Sequence, residues 1–331
     1  AGDLNDDGYP DIVVGAPFDN TVGLNAGRAF VWFGGPGMTG DPDLILDDSN
    51  GGEYFGFAVA GVGDLDGDGY DDLAVVAPGY YFSGQDRGRV YFSRGGANMN
   101  ATPDNDFEGE VGGDRFGWSI AGAGDMDRDG RDDMIVGAPY NSTGGINVGR
   151  AYLFVGASSI SSMGPDPDVT WSGEAGGGPT NSTNFAAFAP DGQAIAGPGF
   201  GFSVANMSDF RGDGRAAVAV GAPGQNGAQG RAYLFIAGSS SNTLPLTTPR
   251  ATFTNNTANE EFGWSVASGG YVNSGPADLL ISAPGTNGNR GSVHIYYGSS
   301  STSGTVSSSN LERSNGVAGD RFGHAVAGAG N

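Results

Sequence analysis

Carboxylates recur in this 331-residue chain at a spacing that suits one hard cation. Residues 116–139 read FGWSIAGAGDMDRDGRDDMIVGAP, in which Asp125, Asp127 and Asp129 alternate ahead of Gly130 and Asp133 follows. Alternate side chains in a D-x-D-x-D-G run converge on one ion, and the glycine permits a sharp turn, as in the first half of an EF-hand loop. The glutamate that ends that motif is missing. Asp133 stands at position nine instead, and the chain passes directly into the apolar run Met134–Val136, which reads as a strand. Four carboxylates and the Arg131 carbonyl make an oxygen set of the kind calcium takes. The loop is therefore read as a calcium hairpin joining two β-strands.

The same cassette returns in register. Residues 55–78 supply Asp64, Asp66, Asp68, the Tyr70 carbonyl and Asp72, and residues 2–17 supply Asp3, Asn5, Asp7, the Tyr9 carbonyl and Asp11. A single D-x-D-G is an ordinary polar turn, because Asp and Gly form turns anyway. Three copies in register between strands argue for three calcium sites, with a structural role: clustered carboxylates repel, and the ion converts that repulsion into cross-linking. In the fourth copy the frame reads Asp209, Arg211, Asp213 and Ala217, so a guanidinium stands where a ligand would and is placed to pair with Asp209 or Asp213. The fifth copy keeps only Asp278, and no calcium is expected there.

The elements that carry these loops repeat about every sixty residues, a period that signals a propeller array. FG-led runs begin at Phe55, Phe116, Phe200 and Phe262, and the half-repeat 322–331 complements the opening segment 2–17. Third strands are expected at 27–33, 88–92, 149–154, 230–235 and 291–297, and edge strands at 43–47, 106–110, 168–172, 250–255 and 310–313. The fold expected is an all-β propeller of four-stranded antiparallel blades, five in number, as a single domain. Blade 1 takes residues 1–47 plus 319–331, blade 2 takes 53–110, blade 3 takes 113–172, blade 4 takes 199–255 and blade 5 takes 259–313. Residues 174–199 form an insertion. Pairing of the N- and C-terminal segments would close the ring and remove exposed sheet edges.

The ordered FG, D-x-D-x-D-G and GAP motifs resemble those of the FG-GAP repeat family, whose best-known members are the propellers of integrin α-subunits. The resemblance spans nearly the whole chain. It implies that the calcium hairpins join the first and second strands of each blade on one face. Integrin propellers have seven blades, whereas five repeats are counted here.

Composition narrows the function. The net charge of −22 comes with fifteen basic residues, all Arg, and three calcium ions would leave about −16. Nucleic acid, which needs a basic footprint, is not an expected partner, and no apolar run is long enough to span a membrane. An acidic, Lys-free surface also fits a high-salt habitat. The 63 glycines, far above the usual share of about 7%, serve the turns between short strands. Cysteine is absent, so calcium takes the stapling role. Five N-x-S/T triplets, at Asn100, Asn141, Asn181, Asn206 and Asn255, fit an extracellular or cell-surface location.

Loops on the face opposite the hairpins are the candidate ligand surface, because a rigid scaffold positions them. Tyr80, Tyr81 and Phe82 lie on one such loop, either exposed to a ligand or folded back as a satellite core. Phe185 and Phe188 lie in the long insertion. Arg211–Gly212–Asp213 spells the tripeptide that integrins recognise, but its Gly and Asp are already explained by the repeat. Only two histidines occur, His294 and His324, and no G-x-S-x-G, H-E-x-x-H or P-loop pattern is present. The reading is a non-enzymatic, calcium-stabilised module for protein binding, adhesion or surface assembly, with homomeric assembly open. A glycan-binding lectin is the first alternative and a polysaccharide hydrolase or lyase the second.

Overall fold

A computed structural model describes residues 1–48, 50–82, 84–174, 197–255, 257–314 and 316–328. Short apolar runs bounded by Gly, Asp and Ser form strands throughout. The first repeat gives β1 (Ile12–Ala16), β2 (Arg28–Trp32) and β3 (Leu44–Asp47). The second gives β4 (Val59–Gly63), β5 (Asp72–Ala77), a small hairpin β6 (Tyr81–Phe82) and β7 (Gln85–Asp86), then β8 (Arg89–Ser93) and β9 (Asn105–Glu108). The third gives β10 (Ser119–Gly124), β11 (Asp133–Ala138), β12 (Arg150–Phe154) and β13 (Val169–Ser172). The fourth gives β14 (Ser203–Asn206), β15 (Ala217–Ala222), β16 (Arg231–Ile236) and β17 (Ala251–Thr254). The last gives β18 (Val266–Gly270), β19 (Asp278–Ala283), β20 (Ser292–Tyr296), β21 (Gly304–Val306) and β22 (Leu311–Arg313).

Strands lie side by side in chain order, in sheets β1-β2-β3, β4-β5-β8-β9, β10-β11-β12-β13, β14-β15-β16-β17-β21 and β18-β19-β20-β22. Four-stranded sheets of this kind are the blades of β-propellers. Where the register is defined, neighbours run antiparallel, with one exception: β21 joins β17 in parallel. That fifth strand was not expected, because the Ser-rich stretch around it carries no apolar alternation. It covers what would otherwise be an open edge, and edges left bare invite pairing with other chains.

The chain divides into two compact units, residues 1–124, 130–136 and 153–168 in one and residues 125–129, 137–152 and 169–331 in the other. The first packs Leu4, Val31, Leu46, Phe55, Leu73 and Val75 into one core. The second gathers Met207, Phe210, Leu234, Phe253, Phe262 and Leu279. Every residue of β5, β11 and β15 is buried, which is why these second strands read as unbroken apolar runs rather than alternating ones.

The FG motif stitches one repeat to the next. Phe55 donates its N–H to Ala26 O (2.8 Å), and Gly27 pairs with Phe55 in a parallel bridge. A Cβ at Gly27 would stand 2.2 Å from Phe55 O, and one at Gly56 would stand 2.3 Å from Arg28 O. Both glycines also hold φ near +80°, so no other residue fits there comfortably. Equivalent bridges join Gly149 to Phe200 and Gly230 to Phe262. The residues two beyond each FG phenylalanine stack in turn, Phe57 on Trp118 (5.0 Å), and Phe202 on Trp264 (4.7 Å), which meets His324 (5.3 Å). Among the described residues no helix is long and apolar enough to cross a membrane.

Candidate metal centres

The first three acidic loops enter β1, β5 and β11, so the ladder itself fixes where the last aspartate sits. Asp72 opens β5 and Asp133 opens β11, both fully buried. Asp72 accepts the Leu65 N–H through one oxygen and the Gly95 N–H through the other, each at 2.9 Å. Asp11 repeats the arrangement with Leu4 (2.6 Å) and Gly34 (2.8 Å), and Asp133 accepts from Gly156 (2.9 Å). The position-nine aspartate therefore does a second task that the motif alone does not announce. It ties the start of the loop to the chain leaving the third strand.

The first aspartate of each loop shapes the turn. Asp64 accepts N–H groups from Gly67, Asp68 and Gly69 at 2.7–3.0 Å. Asp3 accepts from Asp7 (3.1 Å) and Gly8 (2.8 Å), and Asp125 accepts from Asp129 (2.9 Å). Asn5 and Asp127 each accept a further N–H, from Asp7 and Asp129 respectively. Tyr9, Tyr70 and Arg131 follow Gly8, Gly69 and Gly130, whose φ values of 88°, 96° and 95° make the turn. The turn geometry thus survives in the first three loops.

Two of the loops gather three carboxylates each with oxygens within 4.8 Å of one another: Asp64 with Asp66 and Asp72, and Asp125 with Asp127 and Asp133. Among the described residues the first loop, where Asn5 replaces an aspartate, forms no such group of three. Asp66 supplies the test of fit. Its side chain is only 4% exposed, and its Oδ1 is buried with no hydrogen-bond partner in the protein. A buried, unpartnered carboxylate oxygen is costly unless something cationic meets it. Burial, reinforced by Asp68, pushes the Asp66 carboxyl above the usual range, and burial pushes Asp72 up to about 7. Crowded hard oxygens of this type suit a divalent cation such as calcium.

Two kinds of residue at these loops were not singled out from the sequence. Asp71 accepts the Asp3 N–H (2.9 Å), and Asp132 accepts the Asp64 N–H (3.1 Å), so the first and second loops are each clasped by the aspartate before the next loop's position-nine aspartate. A Cβ at Gly2 or Gly63 would collide with those carboxylates at 2.0 and 2.1 Å. The Asp-Asp doublets, each answered by a glycine one repeat earlier, were the signal available. The second is Arg94, whose Nε lies 2.9 Å from Asp66 Oδ2 and which also pairs with Asp68. Asp68 is thereby turned to the arginine and stands outside the carboxylate group.

In the fourth repeat Asp209 still caps the turn, accepting from Asp213 (2.9 Å) and Gly214 (2.8 Å). Arg211 lies 3.3 Å from Asp213, which also takes Arg215 at 2.8 Å. Internal pairing therefore occupies the Arg-Gly-Asp tripeptide. In the fifth, Asp278 keeps only the structural task, accepting from Asn273 (3.2 Å) and Gly298 (3.0 Å).

At the far end of β5 the loop residues part ways. Tyr80 packs against the core of the first unit with the Arg89 guanidinium 3.7 Å from its ring centroid, whereas Tyr81 is 61% exposed and Phe82 is exposed beside it. Phe185 and Phe188 lie outside the described residues. His294 is buried between Ser292 (3.0 Å) and Ser309 (3.4 Å), a satisfied core position. Asn141 of the glycosylation triplets is fully buried, so the folded chain offers no acceptor there.

The FG-GAP repeat model matches residues 1–32, 55–93 and 116–154, the stretches that hold the first three loops. The chain is 35% identical over 170 residues to integrin α-5 of Xenopus laevis, a match covering 48% of this chain and 16% of that protein. It is 36% identical over 168 residues to integrin α-6 of Gallus gallus (50% and 15%) and 36% identical over 154 residues to Gallus gallus integrin α-V (41% and 14%). The matched part spans about one-sixth of the length of these relatives. Residues 1–32, 55–93 and 116–154 are thus FG-GAP repeats, and with its all-β sheets built as β-propeller blades the chain is similar to the integrin α-subunits.

Proposed function

We propose that this chain is an extracellular, calcium-stabilised binding module that engages a protein partner through the loops opposite its metal hairpins. It carries calcium in the loops of Asp3–Asp11, Asp64–Asp72 and Asp125–Asp133, where the ions neutralise crowded carboxylates and clamp consecutive strands, and it performs no catalysis. Support for calcium comes from the grouped carboxylates and the unpartnered Asp66 oxygen. Support for adhesion comes from the identity to integrin α-subunits.

One observation carries the choice of binding face. The first two acidic loops lead into β1 and β5, and the loops leaving those strands, at their opposite ends, expose large apolar side chains. In the first two repeats these are Phe18, Leu24, Tyr81 and Phe82, with Leu24 77% exposed. Aromatic residues such as these are enriched at protein interfaces, and the exposed leucine extends the apolar surface beside them. The test is binding of the immobilised domain to a panel of extracellular-matrix proteins and to a glycan array, with calcium and with chelator. Saturable protein binding that is lost in a Leu24→Ser/Tyr81→Ser/Phe82→Ser variant of unchanged thermal midpoint is the expected result. Binding to glycans alone, or protein binding that survives the triple substitution, would overturn the reading.

A further inference from the structure

The fourth repeat reverses the charge of the frame used by the second and third. Where those repeats place Asp66 and Asp127, this one places Arg211, and where they place Asp72 and Asp133 it has Ala217. The connection between β16 and β17 folds over the same loop. Ala237 donates to Ala216 O (2.8 Å), taking the place of the carboxylate that receives Gly95 in the second repeat. Between loop and connection lies a cavity of about 440 Å³ lined by Arg211, Arg215 and Arg250 on its polar side and by Ile236, Leu244 and Leu246 on its apolar side.

Charge in this cavity is unbalanced. Arg211 and Arg215 share one carboxylate, Asp213, at 3.3 and 2.8 Å. Arg211 spends another N–H on Ser300 O (3.0 Å), and its Nε is buried without a partner. Arg250 is exposed, and its Nε donates to Thr302 O (3.2 Å), a neutral acceptor. Three guanidinium groups thus have one carboxylate in direct ion-pair contact, Asp213, and one more, Asp209, acting on Arg215 from farther away, in a chain of net charge −22 that has only fifteen basic residues to place. Guanidinium forks match the planar or tetrahedral oxygens of carboxylates and phosphates. Leu246, 76% exposed, and Leu244 stand beside them as an apolar wall. The volume falls in the range of about 300–1,000 Å³ usual for small-molecule sites.

We propose that this cavity binds an oxyanion, carboxylate or phosphate, carried on an apolar group, with Arg215 and Arg250 holding the charge and Leu244 and Leu246 the apolar arm. The site is separate from the apolar loops assigned to protein binding, and it stands whether or not that assignment does. The experiment is calorimetric titration of the calcium-loaded full chain with 3-phenylpropionate, phenyl phosphate, inorganic phosphate and, as the uncharged control, 3-phenylpropanol.

Saturable one-to-one binding of at least one phenyl-bearing anion, at least tenfold tighter than the alcohol and tighter than inorganic phosphate, is expected. Whichever of the two phenyl anions binds more tightly identifies the natural head group. Loss of a charge-assisted hydrogen bond in Arg250→Gln or Arg215→Gln should weaken that binding about tenfold to a hundredfold. Thermal midpoints report that each variant is folded. Anions that bind no better than the alcohol, or an Arg250→Gln protein that binds them as the parent does, would overturn the proposal.

Discussion

Replacing Asp72 separates the structural and metal-binding tasks of one carboxylate. Asp72 is fully buried, and its two oxygens satisfy the N–H groups of Leu65 and Gly95, both at 2.9 Å. Asp72→Ala leaves both donors buried and unpaired, at about 1–3 kcal/mol each, or about 2–6 kcal/mol together. That is a large part of the roughly 5–15 kcal/mol that holds a domain together. The loss should appear in full in chelator, where no metal contributes. Asp66 is the control, because its Oδ1 has no protein partner and its other oxygen meets a half-exposed Arg94. Asp66→Ala should change stability in chelator by no more than about 1 kcal/mol, yet remove most of the calcium-dependent gain. The assay is urea unfolding followed by tryptophan fluorescence, with calcium and with chelator, and with Asp72→Asn as a milder variant that keeps one acceptor. Equal losses for Asp72→Ala and Asp66→Ala in chelator would refute the reasoning.

Two further outcomes follow from single side chains. Arg94 pairs with Asp66 and Asp68 where the third repeat has Val155, so Arg94→Val should free two carboxylates and tighten calcium at the second loop about two- to tenfold; unchanged affinity by calorimetry would count against the competition. Glu53 is buried, and burial, followed by the charge of Asp48, pushes its carboxyl up to about 8, with Arg89 opposing. A raised carboxyl gives stability that is complete below its unfolded value near 4.5 and is lost as pH rises through about 8. Glu53→Gln should therefore melt progressively higher than the parent as pH goes from 5 to 9, and a pH-independent difference in midpoint would contradict the assignment.

Much of the fold was legible because the repeat restates it. The third strands expected at 88–92 and 149–154 are β8 and β12 to within a residue, and the edge strands fall within two residues of where they are expected. What the sequence hid was pairing without pattern. β21 sits in a Ser-rich stretch, and its place beside β17 comes from backbone hydrogen bonds that no side-chain periodicity encodes. The candidate carboxylate ligands were visible as spacing, but their structural roles were not. Nothing in D-x-D-x-D-G says that Asp72 will accept two backbone N–H groups, nor that Asp71 will reach back to the preceding loop. Arg94 was hidden because it lies more than twenty residues from the carboxylates it meets, and the chain's return from β8 alone brings it there.

The account rests on divalent ions at the acidic hairpins, and calcium titration of the metal-free chain by isothermal calorimetry tests that most directly. Three calcium ions per chain are predicted, falling to two in Asp66→Ala and staying at three in Asp209→Ala, with a raised melting temperature on loading. Binding of no calcium, or a stoichiometry that Asp66→Ala leaves untouched, would contradict it.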